Sequence, residues 1–272
     1  MVCYFKRRWS DGKFNTIWMC VVAAFCVASA VHFGVVGAYR NMVLALACGL
    51  LVFPGLTMFE YMLKMRFVPV FMFLLCFLFV GGIILGPGFD LYFKLPCWDD
   101  ILHTSSGLIF ACLGYTFADG VVSDNLKHRK FVCFAIAIAC SLAIALLWEM
   151  FEYAGTTFLR MDMQEDQLVY KIRSFFLAGS HNEIVEIDGI TKTVIYYGNG
   201  QTYVIDGGYL DIGLYDTLND MLVCLVGSLF LPVLFGVGRI FGKSPEHWIV
   251  PQWFKQNGNA LRDDKLTQKP QR

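Results

Sequence analysis

The sequence has little charge. Only 16% of its 272 residues are Asp, Glu, Lys or Arg, whereas an ordinary soluble domain has about 25%. A soluble fold needs more polar surface than this to cover its core, so the composition excludes an ordinary soluble domain. The net charge is zero, and no basic cluster of the kind that binds nucleic acid is present. We therefore predict no nucleic-acid partner.

Several motifs of known chemistry are also missing. The chain has no phosphate-binding loop, no cofactor fingerprint and no nucleophile motif. Its ten cysteines include no C-x-x-C pair, and eight of them lie within apolar runs, where cysteine packs as a small core residue. These patterns predict neither a disulfide framework nor a thiolate zinc site, and they leave any catalytic residue unknown.

Long apolar runs are what the sequence does have. A helix needs about 20 mostly apolar residues to cross a bilayer, and six segments qualify. The fold class that follows is an all-α polytopic membrane protein, a six-helix transmembrane bundle that contacts the lipid bilayer. The alternative for the first segment is a signal peptide, because Ala28-Ser29-Ala30 fits the A-x-A cleavage pattern, but the apolar run continues to Val36, which favours an uncleaved span. The predicted spans are 17–38, 41–60, 67–87, 101–119, 131–152 and 217–241.

The spans divide the chain into four parts. Residues 1–154 hold the first five spans, 155–214 form a long connection, 215–242 hold the sixth span, and 243–272 form a polar tail. Within the connection, residues 183–206 alternate apolar and polar side chains and contain the turn signals Asp188-Gly189 and Gly198-Asn199-Gly200. This pattern predicts two or three short β-strands joined by hairpins. The alternative is a surface loop with some strand and no function of its own.

The distribution of basic residues predicts the orientation. With a cytoplasmic N-terminus, sixteen Lys and Arg fall in inner segments and six in outer segments. Positive charge is retained on the cytoplasmic side, so both termini are predicted to be cytoplasmic and the 155–214 connection extracytoplasmic. In the tail, Trp248, Trp253 and Phe254 suit an interfacial anchor, and the remainder is predicted to be disordered.

Three spans each bring a pair of ionisable residues to the outer end of the predicted bundle. The members of each pair are three or four positions apart and so share one face of their helix. The pairs are Asp99 with His103 on the fourth span, Glu149 with Glu152 on the fifth, and Asp216 with Asp220 on the sixth. Asp100 is an alternative partner for His103, and Asp211 lies shortly before the last pair.

If these faces converge, five carboxylates and one imidazole share a poorly solvated place. They cannot all stay ionised there unless a cation neutralises them. Oxygen ligands with one nitrogen suit a divalent ion, namely magnesium, manganese, iron or zinc. The alternative is that each pair is a solvated helix-end feature, with Asp99 as a cap and Asp216 as a first-turn acid that the helix dipole favours.

Other residues are interpreted as structural. Glu60 and Lys64, four positions apart, are interpreted as a surface pair. Gly107 and Gly114 on the fourth span and Gly227 on the sixth are predicted to allow close helix approach.

Three segments resemble the signature of the YjdF-like bacterial inner-membrane proteins, a family of unknown function. They are "WDDILHTSSG", "WEMFEY" and "YDTLNDMLVCLVGSL", which cover spans four to six. More distantly, this half is similar to VanZ-like envelope proteins. The resemblance implies a helical bundle in a bacterial plasma membrane and no established reaction. The matching positions are Asp99, His103, Gly107, Glu149, Glu152, Asp216, Thr217, Asp220 and Gly227.

Three functions fit these features. The first is a metal-dependent membrane enzyme that acts on a lipid or envelope substrate, because a bound metal activates water and a carboxylate serves as general base. The second is a non-catalytic membrane protein in which the acids form a structural ion or carboxylate network. The third is an ion-coupled transporter, which the scarcity of polar residues in the inner halves of spans four to six disfavours.

Overall fold

Six helices dominate the structure, a computed structural model that describes residues 12–159 and 161–254. All six are long and apolar enough to cross a membrane, and small antiparallel sheets accompany them. The predicted fold class is therefore confirmed. The end of the tail, residues 255–272, lies outside the described residues. The spans run Lys13–Val35, Tyr39–Leu63, Pro69–Gly88, Trp98–Val121, Arg129–Leu159 and Leu214–Ile240.

The chain forms two compact units. The first contains the first four spans, the beginning of the fifth, the second part of the sixth and the segment that follows it. Its core is apolar, with Phe67, Phe71, Ile109 and Leu231 among the completely buried side chains. The second unit is Leu142–Val223, which comprises the end of the fifth span, the long connection and the start of the sixth span.

In the first unit, the fourth and sixth spans meet backbone to backbone at two glycines. A Cβ atom at Gly107 would lie 2.2 Å from the carbonyl oxygen of Cys224, and one at Gly227 would lie 2.0 Å from the carbonyl oxygen of Thr104. The hydroxyl of Ser141 also donates to the carbonyl of Gly107, at 2.9 Å. The prediction that these glycines allow close helix approach is confirmed.

Glu60 has a different environment from the predicted one. It is buried, and its carboxylate accepts a hydrogen bond from the backbone N–H of Phe67 at 2.8 Å. The side-chain amide of Asn15 donates to the carbonyl of the same Phe67 at 2.7 Å. The interpretation of Glu60 and Lys64 as a surface pair was therefore wrong. Lys64 ends the second span in a left-handed conformation (φ 55°), which turns the chain back so that the Phe67 amide meets Glu60.

The segment after the sixth span packs against the first unit. Strand β1 (Met65–Arg66) pairs antiparallel with β8 (Gln252–Trp253). Thr116 donates its hydroxyl to the carbonyl of Pro251 at 2.9 Å, and the indole N–H of Trp253 donates to the carbonyl of Thr116 at 3.3 Å. Trp253, one of the residues predicted to anchor the tail at the interface, is thus held against the fourth span by a hydrogen bond.

The described residues of the second unit contain six short strands in three antiparallel pairs. A glycine with positive φ lies at each predicted turn, and the hairpin at Gly198 and Gly200 joins two successive strands as predicted. The strand that ends at Asp188 does not pair with the strand that follows its turn. It pairs with an earlier strand, which lies outside the predicted segment 183–206. The pairs are β2 (Leu168–Val169) with β7 (Tyr209–Leu210), β3 (Lys171–Ser174) with β4 (Val185–Asp188), and β5 (Lys192–Tyr197) with β6 (Gln201–Asp206).

Charge pairs reinforce the β3–β4 sheet. Lys171 contacts Glu186 at 3.2 Å and Asp188 at 2.6 Å, and Arg173 contacts Glu186 on the same sheet. Hydrogen bonds from Arg173 and Lys171 lower the pKa of Glu186, and hydrogen bonds from Lys171 and the Gly189 N–H lower the pKa of Asp188. Because these groups are exposed, solvent screening keeps their contribution to stability small.

Candidate metal centre

The buried face of the fifth span includes both predicted glutamates. Glu149 and Glu152 are only 4% and 8% exposed, whereas Trp148, Met150 and Phe151 on the same turns are about half exposed. An exposed apolar face on a membrane helix is the face that lipid covers, so the glutamates point away from lipid. This burial contradicts the alternative that the two glutamates form a solvated fringe.

The start of the sixth span also buries its acids. Gly213, Asp216 and Asp220 form a buried stripe at spacings of three and four residues, and Asp220 is only 1% exposed. Leu214, Tyr215 and the residues between the two aspartates are exposed or half-buried. The spacing thus predicts the shared face of this pair correctly.

Within the second unit, Glu149, Glu152 and Asp220 come together in what we call the carboxylate cluster. A carboxylate oxygen of each lies within 4.8 Å of an oxygen of both others. Three negative charges at this separation and burial repel one another strongly. Shared protons, hydrogen bonds from neighbouring groups or a bound cation would each offset this repulsion. Three carboxylates from two helices are a suitable ligand set for a divalent cation.

Trp148 fixes one of these acids. Its indole N–H donates to the Oε1 atom of Glu152 at 2.8 Å, one turn along the same helix. This bond holds one carboxylate oxygen in a defined direction. Metal ligands are commonly oriented by such outer hydrogen bonds. The sequence analysis assigned no role to Trp148, although its spacing of four residues from Glu152 was a usable signal.

Asp216 accepts a hydrogen bond from a segment outside its own helix. Its Oδ2 atom accepts the backbone N–H of Glu165 at 3.1 Å. Glu165 belongs to residues 161–167, which we call the strap, and the strap is also bound to the spans by side chains. Gln164 donates to the hydroxyl of Thr217 at 2.9 Å, and the hydroxyl of Thr156 accepts the N–H of Met163 at 3.1 Å. Asp216 therefore anchors the strap.

Asp211 organises the entry into the sixth span. Its carboxylate accepts the N–H groups of Gln167 at 2.8 Å, Gly213 at 3.2 Å and Tyr215 at 2.7 Å. Partial burial acts to raise the pKa of Asp211, but these three donors outweigh it, and the pKa is lowered from the ordinary value. The sequence showed only that Asp211 precedes the predicted pair. One of its three donors, Gln167, belongs to the strap, whose path the sequence does not reveal.

In the first unit, Asp99 and His103 lie together as predicted. The Oδ2 atom of Asp99 is 3.7 Å from Nε2 of His103, and the histidine is the more buried of the two. This contact identifies Asp99 as a partner of His103, which the doubled aspartate at 99–100 had left open. The Cys224 thiol donates to the carbonyl of His103 at 3.2 Å, and its sulfur lies 3.8 Å from Nδ1. Ser106 also donates to the His103 carbonyl, at 2.8 Å.

Cys224 is a residue whose position sequence reasoning missed. It was interpreted as an ordinary core cysteine, yet it touches the imidazole that the motif singled out. Its spacing was the available signal, because Asp216, Asp220 and Cys224 follow at intervals of four on the sixth span.

One comparison with known proteins identifies the family. A family model described as Predicted membrane protein (DUF2238) matches residues 14–239. The chain belongs to this family. The matched range contains all six residues predicted to bind metal. Comparisons with curated proteins and with solved structures give no match.

Membership of DUF2238 fits the membrane spans but assigns no reaction to them. What the site can do therefore follows from its own residues. The second unit offers one compact set of buried carboxylates and an indole donor that orients one of them. The first unit, described by itself, holds a histidine that contacts an aspartate.

Proposed function

We propose that this DUF2238 protein is a divalent-metal-dependent membrane enzyme whose metal is held by Glu149, Glu152 and Asp220. The observation that supports this most is the burial of three carboxylates within 4.8 Å of one another. Desolvating three acids is costly unless their charge is neutralised, and a divalent ion neutralises two charges at once. Ionisable residues inside membrane spans most often mark functional sites.

The donor chemistry narrows the choice of ion. Carboxylate oxygens alone favour hard ions, magnesium or manganese. The sequence-based prediction that Asp99, His103 and Asp216 complete the set would add one nitrogen and broaden the choice to iron and zinc. Replacing His103 by Gln tests that prediction separately, because only a ligand role for His103 makes the affinity for zinc fall more than the affinity for magnesium.

Hydrolysis is the reaction class that suits such a centre. A divalent ion supplies Lewis acidity that polarises a phosphoryl or carbonyl oxygen and activates water. Glu149, Glu152 and Asp220 would hold the ion, and Trp148 keeps Glu152 oriented. A carboxylate that does not bind the ion would serve as the general base. A substrate that reaches residues inside membrane spans has to be lipid-soluble in part, so we assign a lipid or lipid-linked envelope substrate.

Within the family, the three motifs support a place among the YjdF-like proteins, and the VanZ-like similarity is a more distant motif likeness. The charge distribution supports a bacterial plasma membrane with both termini cytoplasmic. Cys97 tests this orientation, because it is exposed and lies between the third and fourth spans. We expect a membrane-impermeant maleimide to label wild-type protein on intact cells and to leave Cys97→Ser unlabelled.

A structural carboxylate network is the second candidate. It is favoured by the bonds that Glu152 and Asp216 make, since both acids accept hydrogen bonds from neighbouring groups. In that case the acids hold the second unit together without a metal, and the protein has no reaction of its own.

Elemental analysis of detergent-purified protein decides between the two. Wild type is compared with Glu149→Gln and Asp220→Asn, which keep the shape of the side chain and remove its charge, and with Glu183→Gln as a control at an exposed acid. We expect about one divalent ion per chain in wild type and control, and none in folded cluster variants. Wild-type protein that binds no magnesium, manganese, iron or zinc would refute the metal centre. If the wild type contains no metal and the cluster variants aggregate, the result would support the structural network.

A further inference from the structure

The strap, residues 161–167 of the second unit, is held against the end of the fifth span. The hydroxyl of Thr156 accepts the N–H of Met163 at 3.1 Å and the N–H of Gln164 at 3.3 Å. A Cβ atom built on Gly155 would overlap the sulfur of Met163. The absence of a side chain at Gly155 therefore makes room for the strap on this helix.

The strap is held in the same way against the start of the sixth span. A Cβ atom built on Gly213 would lie 2.6 Å from the Cβ atom of Gln164. The Gln164 side chain donates to the hydroxyl of Thr217 at 2.9 Å, and Asp216 accepts the N–H of Glu165 at 3.1 Å. The strap thus bridges the two helices that supply the carboxylate cluster.

These contacts lie one helical turn from the carboxylate cluster. Thr156 follows Glu152 by four residues on the fifth span, and Asp216 precedes Asp220 by four on the sixth. Four residues make about one turn, with a rise of about 6 Å. In the opposite direction, the same face of the fifth span continues into the apolar part of the helix, to the buried Ala145. The strap therefore covers the end of the cluster that faces the 155–214 connection, and an ion that comes from the water on that side has to pass it.

The outer side of the strap is acidic. Asp162, Glu165 and Asp166 are exposed within five consecutive residues. Partial burial raises the pKa of Asp166, and the charges of Asp162 and Asp211 raise it further. Acids crowded on one short exposed segment raise the local concentration of cations. The strap therefore attracts the kind of ion that the cluster would bind.

We propose that the strap is a lid that controls the exchange of a divalent cation between water and the carboxylate cluster. This inference rests on the proposed metal-dependent function and adds the route by which the ion enters and leaves. Opening the lid breaks the bonds of the strap to Thr156, Asp216 and Thr217 and leaves Glu149, Glu152 and Asp220 in place. A lid that has to open for both entry and exit changes both rates by the same factor, so the equilibrium affinity stays the same.

An engineered disulfide that locks the strap provides a direct test. A Cβ atom at Gly155 would lie 4.0 Å from the Cβ atom of Met163, within the range of about 3.5–4.5 Å that a disulfide needs. The full chain with Gly155→Cys and Met163→Cys is loaded with Mn²⁺ while reduced, and half of it is then oxidised. Both halves are diluted into excess chelator, and the manganese retained by the protein is measured at timed intervals. We expect release from the oxidised form to be slower by about 10-fold or more, with the same affinity at equilibrium.

Two controls accompany the locked protein. Wild type given the same oxidation accounts for the ten natural cysteines and is expected to keep its release rate. Gln164→Ala removes the donor to Thr217 and is expected to speed release several-fold, whereas Gln167→Ala, at an exposed position of the strap, keeps the wild-type rate. If the cysteine pair does not fold, this second comparison carries the test alone.

The possible results separate the lid from the metal centre. Equal release from the locked and reduced forms, or from Gln164→Ala and wild type, would overturn the lid and leave the metal centre standing. A change in equilibrium affinity that accounts for the whole change in release rate would also overturn the lid, because it would show an effect on the ligands. Wild-type protein that binds no Mn²⁺ would refute the metal centre, and the lid with it.

Discussion

Adding one methyl group at Gly227 is expected to destabilise the first unit. The new Cβ would lie 2.0 Å from the carbonyl oxygen of Thr104, and 2.8 Å from its carbonyl carbon. An ordinary carbon–oxygen contact is about 3.3 Å. The shortfall exceeds 1 Å and is against backbone, so no side-chain rotation can relieve it. The sixth span has to move away from the fourth.

The size of the effect follows from two opposing contributions. Overpacking of a tight interior typically costs about 1–3 kcal/mol, and a backbone clash belongs at the upper end. Alanine is favoured over glycine within a helix by about 1 kcal/mol. We therefore expect Gly227→Ala to lower stability by about 2 kcal/mol, which corresponds to a fall in apparent Tm of roughly 4–8 °C.

Gly236 provides the matched control on the same helix. A Cβ atom there has no atom within 4 Å, so Gly236→Ala gains the helix propensity without a clash. Both variants are heated in the same detergent, and the folded fraction is followed by size-exclusion chromatography. Equal or higher stability of Gly227→Ala relative to Gly236→Ala would show that the spans do not cross as described. Gly107→Ala should destabilise the protein as Gly227→Ala does. The double variant should lose less stability than the sum of the two single losses, because either substitution alone already separates the fourth and sixth spans.

Three further predictions concern the second unit. Trp148→Phe removes the donor to Glu152 and keeps an aromatic ring, so we expect about a 10-fold loss of Mn²⁺ affinity in equilibrium dialysis. Thr156→Val removes the hydroxyl that accepts the Met163 N–H, and the loss of this hydrogen bond costs about 1 kcal/mol. We therefore expect amide hydrogen exchange in the strap, measured by mass spectrometry, to become about 5-fold faster. The lowered pKa of Asp211 means that its contribution to stability is complete above the ordinary aspartate pKa of about 3.9 and is lost as the pH falls through the lower, folded value. Asp211→Asn should flatten this part of the acid-unfolding profile.

Exposed residues serve as controls for these predictions. Trp248→Phe keeps Mn²⁺ affinity if the effect at Trp148 arises from its hydrogen bond. Thr202→Val, on the exposed β6 strand, leaves the exchange of the strap unchanged. Asp206→Asn is the exposed control in the acid-unfolding measurement, and it leaves the loss of stability at low pH as steep as in wild type. Equal effects in a variant and its control would show that the change at the surface, and not the bond, is responsible.

Most of the helical fold was predictable because hydrophobic length is an explicit signal. Each of the six predicted spans overlaps one observed helix, and the glycines at 107 and 227 were correctly predicted as contact points. The strand signal was weaker. The Gly198–Gly200 turn predicted its own hairpin, because a turn and its strands are local in sequence. The partner of β4 is β3, and the connection between them is longer than a tight turn because it contains a short helix, Phe175–Ala178, that ends at Gly179.

The errors have a common cause. Glu60 was taken for a surface residue because only its neighbour Lys64 was considered, whereas its partner is a backbone amide that the following turn delivers. Cys224 was taken for packing because its contact, His103, lies on another helix. Spacing along one helix shows which side chains share a face. It does not show which backbone group or second helix that face meets.

Position along the sixth span separates a structural acid from a candidate ligand. Asp211 and Asp216 lie at the beginning of the helix, next to a strap whose N–H groups are available as donors, and both carboxylates accept such bonds. Asp220 lies one turn further in, where the helix already uses its own N–H groups in the i to i−4 pattern. A carboxylate at that depth has to be balanced by protons, side chains or a cation.

The alternative interpretation treats the acids as solvated residues at helix ends. For Asp216 this interpretation is wrong about exposure, because Asp216 is buried, but it is right about a local structural role. It fails for Asp220, which is the more deeply buried and lies with Glu149 and Glu152. The depth of an acid within its span, more than its spacing from the next acid, indicates where a metal centre is to be sought.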